Sequence, residues 1–221
     1  MSAALRFRDV RAPVHGDVVG GPWSFTVERG AFIAVQAAPS VADTVMGLCT
    51  GALEPTTGEA EVLGERPGSL PRLRRQALLR RMGVAFQREG LVSNLSLEDN
   101  LVVPLVFGSG YTTPEARAAA AEAMRDLGLE AYRAWRPASL TREARILGAL
   151  ARAALRRPEL LALEHLTAGL PDGLAAKALA WCRSRSETIL VLVPGPSPVL
   201  DRLSDGWLPP LKGPREEGTA E

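Results

Sequence analysis

The chain has 221 residues, 46% of them hydrophobic and 23% charged, with a formal net charge of +1. That length builds one sizeable core, and the near-neutral balance gives no reason to expect nucleic acid as a partner or a direct hold on an acidic membrane surface. No apolar run approaches the ~20 residues that cross a bilayer, and the opening MSAALRFRDV lacks the apolar stretch of a signal peptide, so a cytoplasmic protein is expected.

The N-terminal part, residues 5–35, reads as short strands: Phe25, Val27, Phe32, Ile33 and Val35 are strand formers, with Glu28-Arg29-Gly30 as a turn. Residues 44–51 have a helical composition that closes at Gly51. A short strand over 59–63, a basic amphipathic helix over 71–81 and an apolar strand over 82–86 follow. Thr113-Pro114-Glu115 supplies an N-cap, a proline at the first helical position and an early acid, for a helix that stops at Gly128. A second helix begins near Thr141, with Ile146, Leu147, Leu150 and Ala154 on one face, and ends at Pro158. The continuous apolar runs 160–164 and 188–193 suit strands covered on both faces, with 172–186 as the crossover helix between them. The polar tail 214–221 is expected to be disordered. Cys49 and Cys182 lie far apart with no close Cys/His grouping, so buried thiols and no metal site are expected.

Four segments, taken in order, resemble the ATP-binding subunits of ATP-binding cassette (ABC) transporters. GALEPTTGEAEVLG (51–64) is similar to the stretch after that family's phosphate-binding helix, and MGVAFQ (82–87) to the strand leading into its Q-loop glutamine. GLVSNLSLEDNLVVPL (90–105) resembles the segment after the Q-loop, most of all in lipid-trafficking members such as the Mla-type and lipoprotein-release ATPases. RRPELLALEHLTAGL (156–170) resembles the Walker B strand and D-loop, and the resemblance runs to about residue 205. It implies an α/β ABC ATPase-like domain over 1–213: a mostly parallel sheet core, an antiparallel N-terminal β subdomain and a helical insertion over about 97–157.

The family's phosphate site needs a glycine-rich loop, a lysine for β/γ charge and a hydroxyl on Mg²⁺. The matching positions here carry Gln36, Pro39, Val41, Ala42, Asp43 and Thr44. All three glycines are gone, Pro39 deletes an N–H donor, and Ala42 removes charge-assisted bonds typically worth ~1.5–3 kcal/mol each. Asp43 stands in place of the magnesium-binding hydroxyl. It is expected to cap its own helix end, the alternative being that it ligates Mg²⁺ directly. Glu164 replaces the Walker B aspartate, His165 the glutamate that polarises water, and Pro194 the switch histidine; Leu166 and Pro171 alter the D-loop. His165 is a substituted base or, as we prefer, a structural residue. His15 lies near the expected adenine-stacking aromatic and is equally read as a turn residue.

The signature motif, which in this family completes the partner subunit's site, is matched by Leu140, Thr141, Arg142, Glu143 and Ala144, with side chains where the two glycines belong. Both halves of a composite site are therefore altered. Gln87 keeps the Q-loop identity, which points to a retained surface for a membrane permease. The resemblance thus implies a catalytically degenerate subunit that docks on a permease as scaffold or regulator, in a lipid-type system. It would sit peripherally at the inner face of the membrane and pair as a homodimer, or as a heterodimer with another ABC ATPase. No cofactor is expected. The first alternative is a divergent but active ATPase, which would bring Mg-ATP and use Asp43, Glu164 and His165 in new roles. The second is a soluble module unrelated to transport, with Trp135, Trp181 and Trp207 as interface anchors.

Overall fold

The computed structural model describes residues 2–16, 18–88 and 90–213, together with all side chains in those ranges except that of His15. The expected disordered tail, 214–221, and the His15 side chain lie outside the described residues. The first two strands, β1 (Ala3–His15) and β2 (Val18–Glu28), pair antiparallel, and β3 (Phe32–Ala37) leaves them for a second sheet. Next come α1 (Pro39–Thr50), β4 (Thr57–Val62), α2 (Arg72–Arg80) and β5 (Met82–Ala85). The helical stretch is α3 (Leu97–Ser109), α4 (Thr113–Leu127) and α5 (Arg142–Ala154). Then β6 (Leu160–Glu164), α6 (Asp172–Arg183), β7 (Thr188–Val193), α7 (Pro198–Leu203) and β8 (Gly206–Leu211) complete the chain. The small sheet has the order β2-β1-β4; the five-stranded sheet runs β5-β6-β7-β3-β8 with every pair parallel. This is the α/β architecture implied above.

The parallel strands have no polar face because each face meets its own core. Leu161 and Leu163 of β6, with Ile189, Val191 and Val193 of β7, pack on the side of α3–α6. Their alternate neighbours Leu160, Ala162, Leu190 and Leu192 pack on the other side, with α1 and the small sheet. Period-two alternation between two apolar surroundings is why these runs are apolar apart from Glu164 and Thr188 at their ends. The strand ends are tied down by Glu159, which accepts from Arg81 at 2.6 and 2.8 Å and from Arg29 at 2.9 Å.

Three elements differ from the sequence expectation. Helix α1 starts at Pro39, five residues before the composition predicts, because proline at the first helical position has the right φ and lacks only an N–H that would have no partner there. Helix α4 is capped by Thr112 instead of Thr113: the Glu115 carboxylate accepts from both the Thr112 N–H (2.8 Å) and its hydroxyl (2.7 Å). Crossover helix α6 stops at Arg183, short of Ser186. Both cysteines are buried and free. Trp181 is half-buried against the core and bonded to Asp126 (3.0 Å), whereas Trp135 is 47% exposed and Trp207 36%.

Candidate functional site

The parallel register carries the ends of neighbouring strands to one edge of the sheet. Gln36 pairs with Val193 and Glu164 with Leu192, so the last residues of β3, β6 and β7 lie side by side. Gln87, just beyond β5, joins them by donating its backbone N–H to Glu164 Oε2 at 3.2 Å. Carboxyl ends of parallel strands are where ligands bind in open α/β sheets. Gln36, Gln87, Glu164, His165 and Pro194 thus lie along one edge of the sheet.

The loop between β3 and α1 is almost absent. Ala38 is the N-cap with no side-chain hydrogen bond, and the helix begins at once with Pro39. The Ala42 N–H donates to the Ala38 carbonyl at 2.9 Å, so it is spent inside the helix. Val41 and Ala42 are both 0% exposed and face the core. Thr44 is buried, and its hydroxyl donates to the carbonyls of Pro13 (2.8 Å) and Ser40 (3.0 Å). Asp43 falls outside the first turn, which corrects the expectation that it caps the helix: with Pro39 as the first helical residue, Asp43 sits too far along. It is exposed and lies against Glu164 instead.

Glu164 is 1% exposed, and its Oε1 is buried without a hydrogen-bond partner. Burial, and after it the neighbouring Asp43 carboxylate, push its carboxyl up to about 7; the Gln87 N–H pulls the other way. His165 is buried and takes a positive φ of 52°, a conformation uncommon outside glycine. Its backbone N–H donates to the Leu192 carbonyl at 2.8 Å, and its Nε2–H donates to the Ala37 carbonyl at 3.0 Å. Burial holds the ring below the usual histidine range, although the Ala37 carbonyl and the Asp43 carboxylate favour its charged form. A ring bonded to that carbonyl is a fastening between β6 and the end of β3.

The signature-like residues are built into the helical side. Leu140 and Ala144 are core residues, and Thr141 caps α5 by accepting the Ala144 N–H at 3.1 Å. Glu143 is exposed in the first turn, and the Arg142 guanidinium lies over Gly169, where an added Cβ would stand 3.1 Å from Nη2. Among the described residues, no hydrogen bond joins these five to the segment from Gln36 to Thr44. The sequence reading missed two features. The Asp43–Glu164 contact needs the register of two distant elements. The other is a pair of arginines, Arg152 and Arg156, whose spacing of four along α5 and its end was the available signal.

No protein-family model matches the chain. Its fold is that of a solved cassette: the dimeric structure of MJ0796, a bacterial ABC transporter cassette, superposes with a TM-score of 0.80 at 18% identity, covering 93% of this chain and 94% of that one. The lipoprotein-releasing system ATP-binding protein LolD of Psychrobacter arcticus is 30% identical over 173 residues, 76% of each chain. The methionine import ATP-binding protein MetN of Mesorhizobium japonicum is 33% identical over 159 residues; these are 71% of this chain but only 43% of that longer protein. The chain belongs to the ATP-binding cassette family of transporter subunits.

Proposed function

We propose that this cassette subunit has given up nucleotide chemistry and acts by docking on a membrane permease, as scaffold or regulator. The observation that carries the reading is the start of α1. A triphosphate and its magnesium do not fit the residues present: the Ala42 N–H is bonded to Ala38, the Thr44 hydroxyl to two carbonyls, and a carboxylate pair stands where a polyanion would arrive. Restoring the lysine alone gains nothing here. Ala42 is wholly buried, so Ala42→Lys is expected to cost about 1–3 kcal/mol by overpacking and to leave nucleotide binding absent, read by chemical denaturation and nucleotide titration.

The lipoprotein-releasing relative, matched over equal shares of both chains, supports a lipid-type system. We take 1–213 as one cassette with its helical part at about 97–157, peripheral at the inner membrane face through its partner and paired with itself or with an intact ATPase. Among the described residues no helix is long and apolar enough to cross a membrane.

A second reading has support of its own: the relatives are named ATP-binding proteins, which favours a divergent, active ATPase. His165 would then be its base. Against this stands the burial of His165, 5% exposed, whose Nε2–H is bonded to the Ala37 carbonyl so that only Nδ1 is left as a base. The two readings separate by turnover. We expect no ATP hydrolysis above buffer by the wild type or by His165→Ala, with or without the co-purified permease. Hydrolysis that collapses in His165→Ala establishes the second reading.

A further inference from the structure

The net charge of +1 hides an uneven spread. Residues 66–81 hold six arginines and no acidic residue, which leaves 20 basic and 25 acidic residues, a net charge of −5, for the rest of the chain. Five of the six lie on α2 or at its end, and the first turn of α2 contains no acid. Arg72, Arg74 and Arg75 therefore crowd the positive end of the helix dipole, where carboxylates are the stabilising choice. The helix gains nothing of its own from that placement.

Some of these cations are spent within the fold. Arg75 donates to the Gly51 carbonyl at 2.9 Å, Arg81 to Glu159, and Arg66 pairs with Glu59. Arg74, its side chain 71% exposed, reaches Glu65 only at 3.4 Å. Arg72 and Arg80 have no carboxylate among the described residues, and Arg156 stands near enough to Arg80 to repel it. Leu78 is the buried side of α2. At about 3.6 residues per turn, Arg72, Gln76 and Arg80 fall on the opposite face with Leu73 and Ala77 beside them, and all five are exposed. Leu73 is 78% exposed, with arginine on either side of it in sequence.

The outer face of one helix is a convex ridge, which suits a plane better than it encloses a peptide or an ion. A free anion leaves Leu73 in water. Single-stranded nucleic acid is held by arginines together with aromatic rings that stack on its bases, and residues 66–81 contain no aromatic. A lipid interface takes both chemistries at once: guanidinium groups meet headgroup phosphates while an apolar side chain enters the acyl boundary just beneath. We propose that the outer face of α2 lies against the anionic surface of a phospholipid membrane, with Arg72, Arg74 and Arg80 on headgroup phosphates and Leu73 among the upper acyl carbons. The long arginine stems let the charged heads stay at phosphate level while the leucine dips. Three cations and one leucine make a weak, reversible hold, which orients the subunit at the membrane without fixing it there. This contact needs neither permease nor nucleotide, so it goes beyond the docking reading and does not rest on it.

The test uses the full chain without nucleotide and vesicles that contain no protein. The full chain is expected to co-sediment with vesicles of phosphatidylcholine and about one-third phosphatidylglycerol, and not with phosphatidylcholine alone. Raising the salt from about 0.1 to about 1 M shortens the screening length from about 10 to about 3 Å and should release it. Arg72→Gln/Arg80→Gln is expected to bind the anionic vesicles about tenfold or more weakly, since each cation near such a surface contributes about a factor of five. Arg125→Gln/Arg202→Gln removes the same charge from exposed positions on α4 and α7 and should bind like wild type. An environment-sensitive dye on Leu73→Cys, the native thiols being buried, should shift to the blue with the anionic vesicles. Equal loss in both double variants overturns the proposal, because overall charge then does the work. So does an absence of sedimentation with anionic vesicles, or a dye that stays unshifted while the protein sediments. Full release by a double-stranded DNA oligomer at matched phosphate concentration makes α2 a nucleic-acid surface and also overturns it; inorganic phosphate at that concentration should release little. Micromolar Mg-ATP binding in a separate titration sinks the degenerate reading and leaves this one standing.

Discussion

Glu164→Gln will stabilise the protein at pH 8 by on the order of 2 kcal/mol and flatten its dependence on pH. The Glu164 carboxyl is raised from 4.5 in the unfolded chain to about 7 in the fold. The folded state therefore binds the proton more tightly. Its contribution is complete below about pH 4.5, is lost as pH rises toward 7, and stays lost above. A rise of that size corresponds to about 3 kcal/mol, and solvent around the exposed Asp43 reduces it to about 2. Glutamine keeps an oxygen for the Gln87 N–H and offers Asp43 a donor in place of a like charge. Urea unfolding at pH 5, 6, 7 and 8 checks this. Wild-type and variant curves that stay parallel across the window contradict it.

Gly83→Ala is expected to destabilise the protein by about 3 kcal/mol, a fall in Tm of roughly 6–12 °C. A Cβ at Gly83 would run into the Ala153 backbone carbonyl, with the carbonyl carbon at 3.0 Å and Leu161 Cδ1 at 2.8 Å. Backbone cannot turn aside, so α5 must lift from β5. Gly148→Ala is the control. Its Cβ meets side-chain tips alone, Leu97 at 2.6 Å and Leu91 at 3.6 Å, and alanine in a helix interior returns about 0.8–1 kcal/mol. We expect that variant to unfold within about 1 kcal/mol of wild type. Thermal denaturation of both separates backbone collision from simple added volume.

Patterns of apolar residues made the central sheet legible. The runs in β6 and β7 suit strands covered on both faces, and so they are. Helix α3 lacked that legibility because Pro104 sits inside it, and a proline in an apolar stretch reads as a break. It holds because Ser96 caps it and because Asn100, 1% exposed, bonds back to Val92, Leu95 and Ser96. Strand β8 was hidden by Pro209 and Pro210, which an edge strand tolerates and a central one does not.

At the site, the structure corrects one expected role. Asp43 looked like a helix cap because composition placed the helix start late. Pro39 moves the start forward, and the carboxylate meets Glu164 instead. That encounter depends on the register between α1 and β6, which no local pattern encodes.

Calorimetric titration of the full chain with Mg-ATP tests the central claim most directly. With the Ala42 N–H already bonded to the Ala38 carbonyl and the Asp43 and Glu164 carboxyls side by side, no saturable heat is expected up to millimolar nucleotide. Micromolar binding that is lost in Asp43→Ala or Glu164→Ala would show these side chains holding metal and phosphate, and would contradict it.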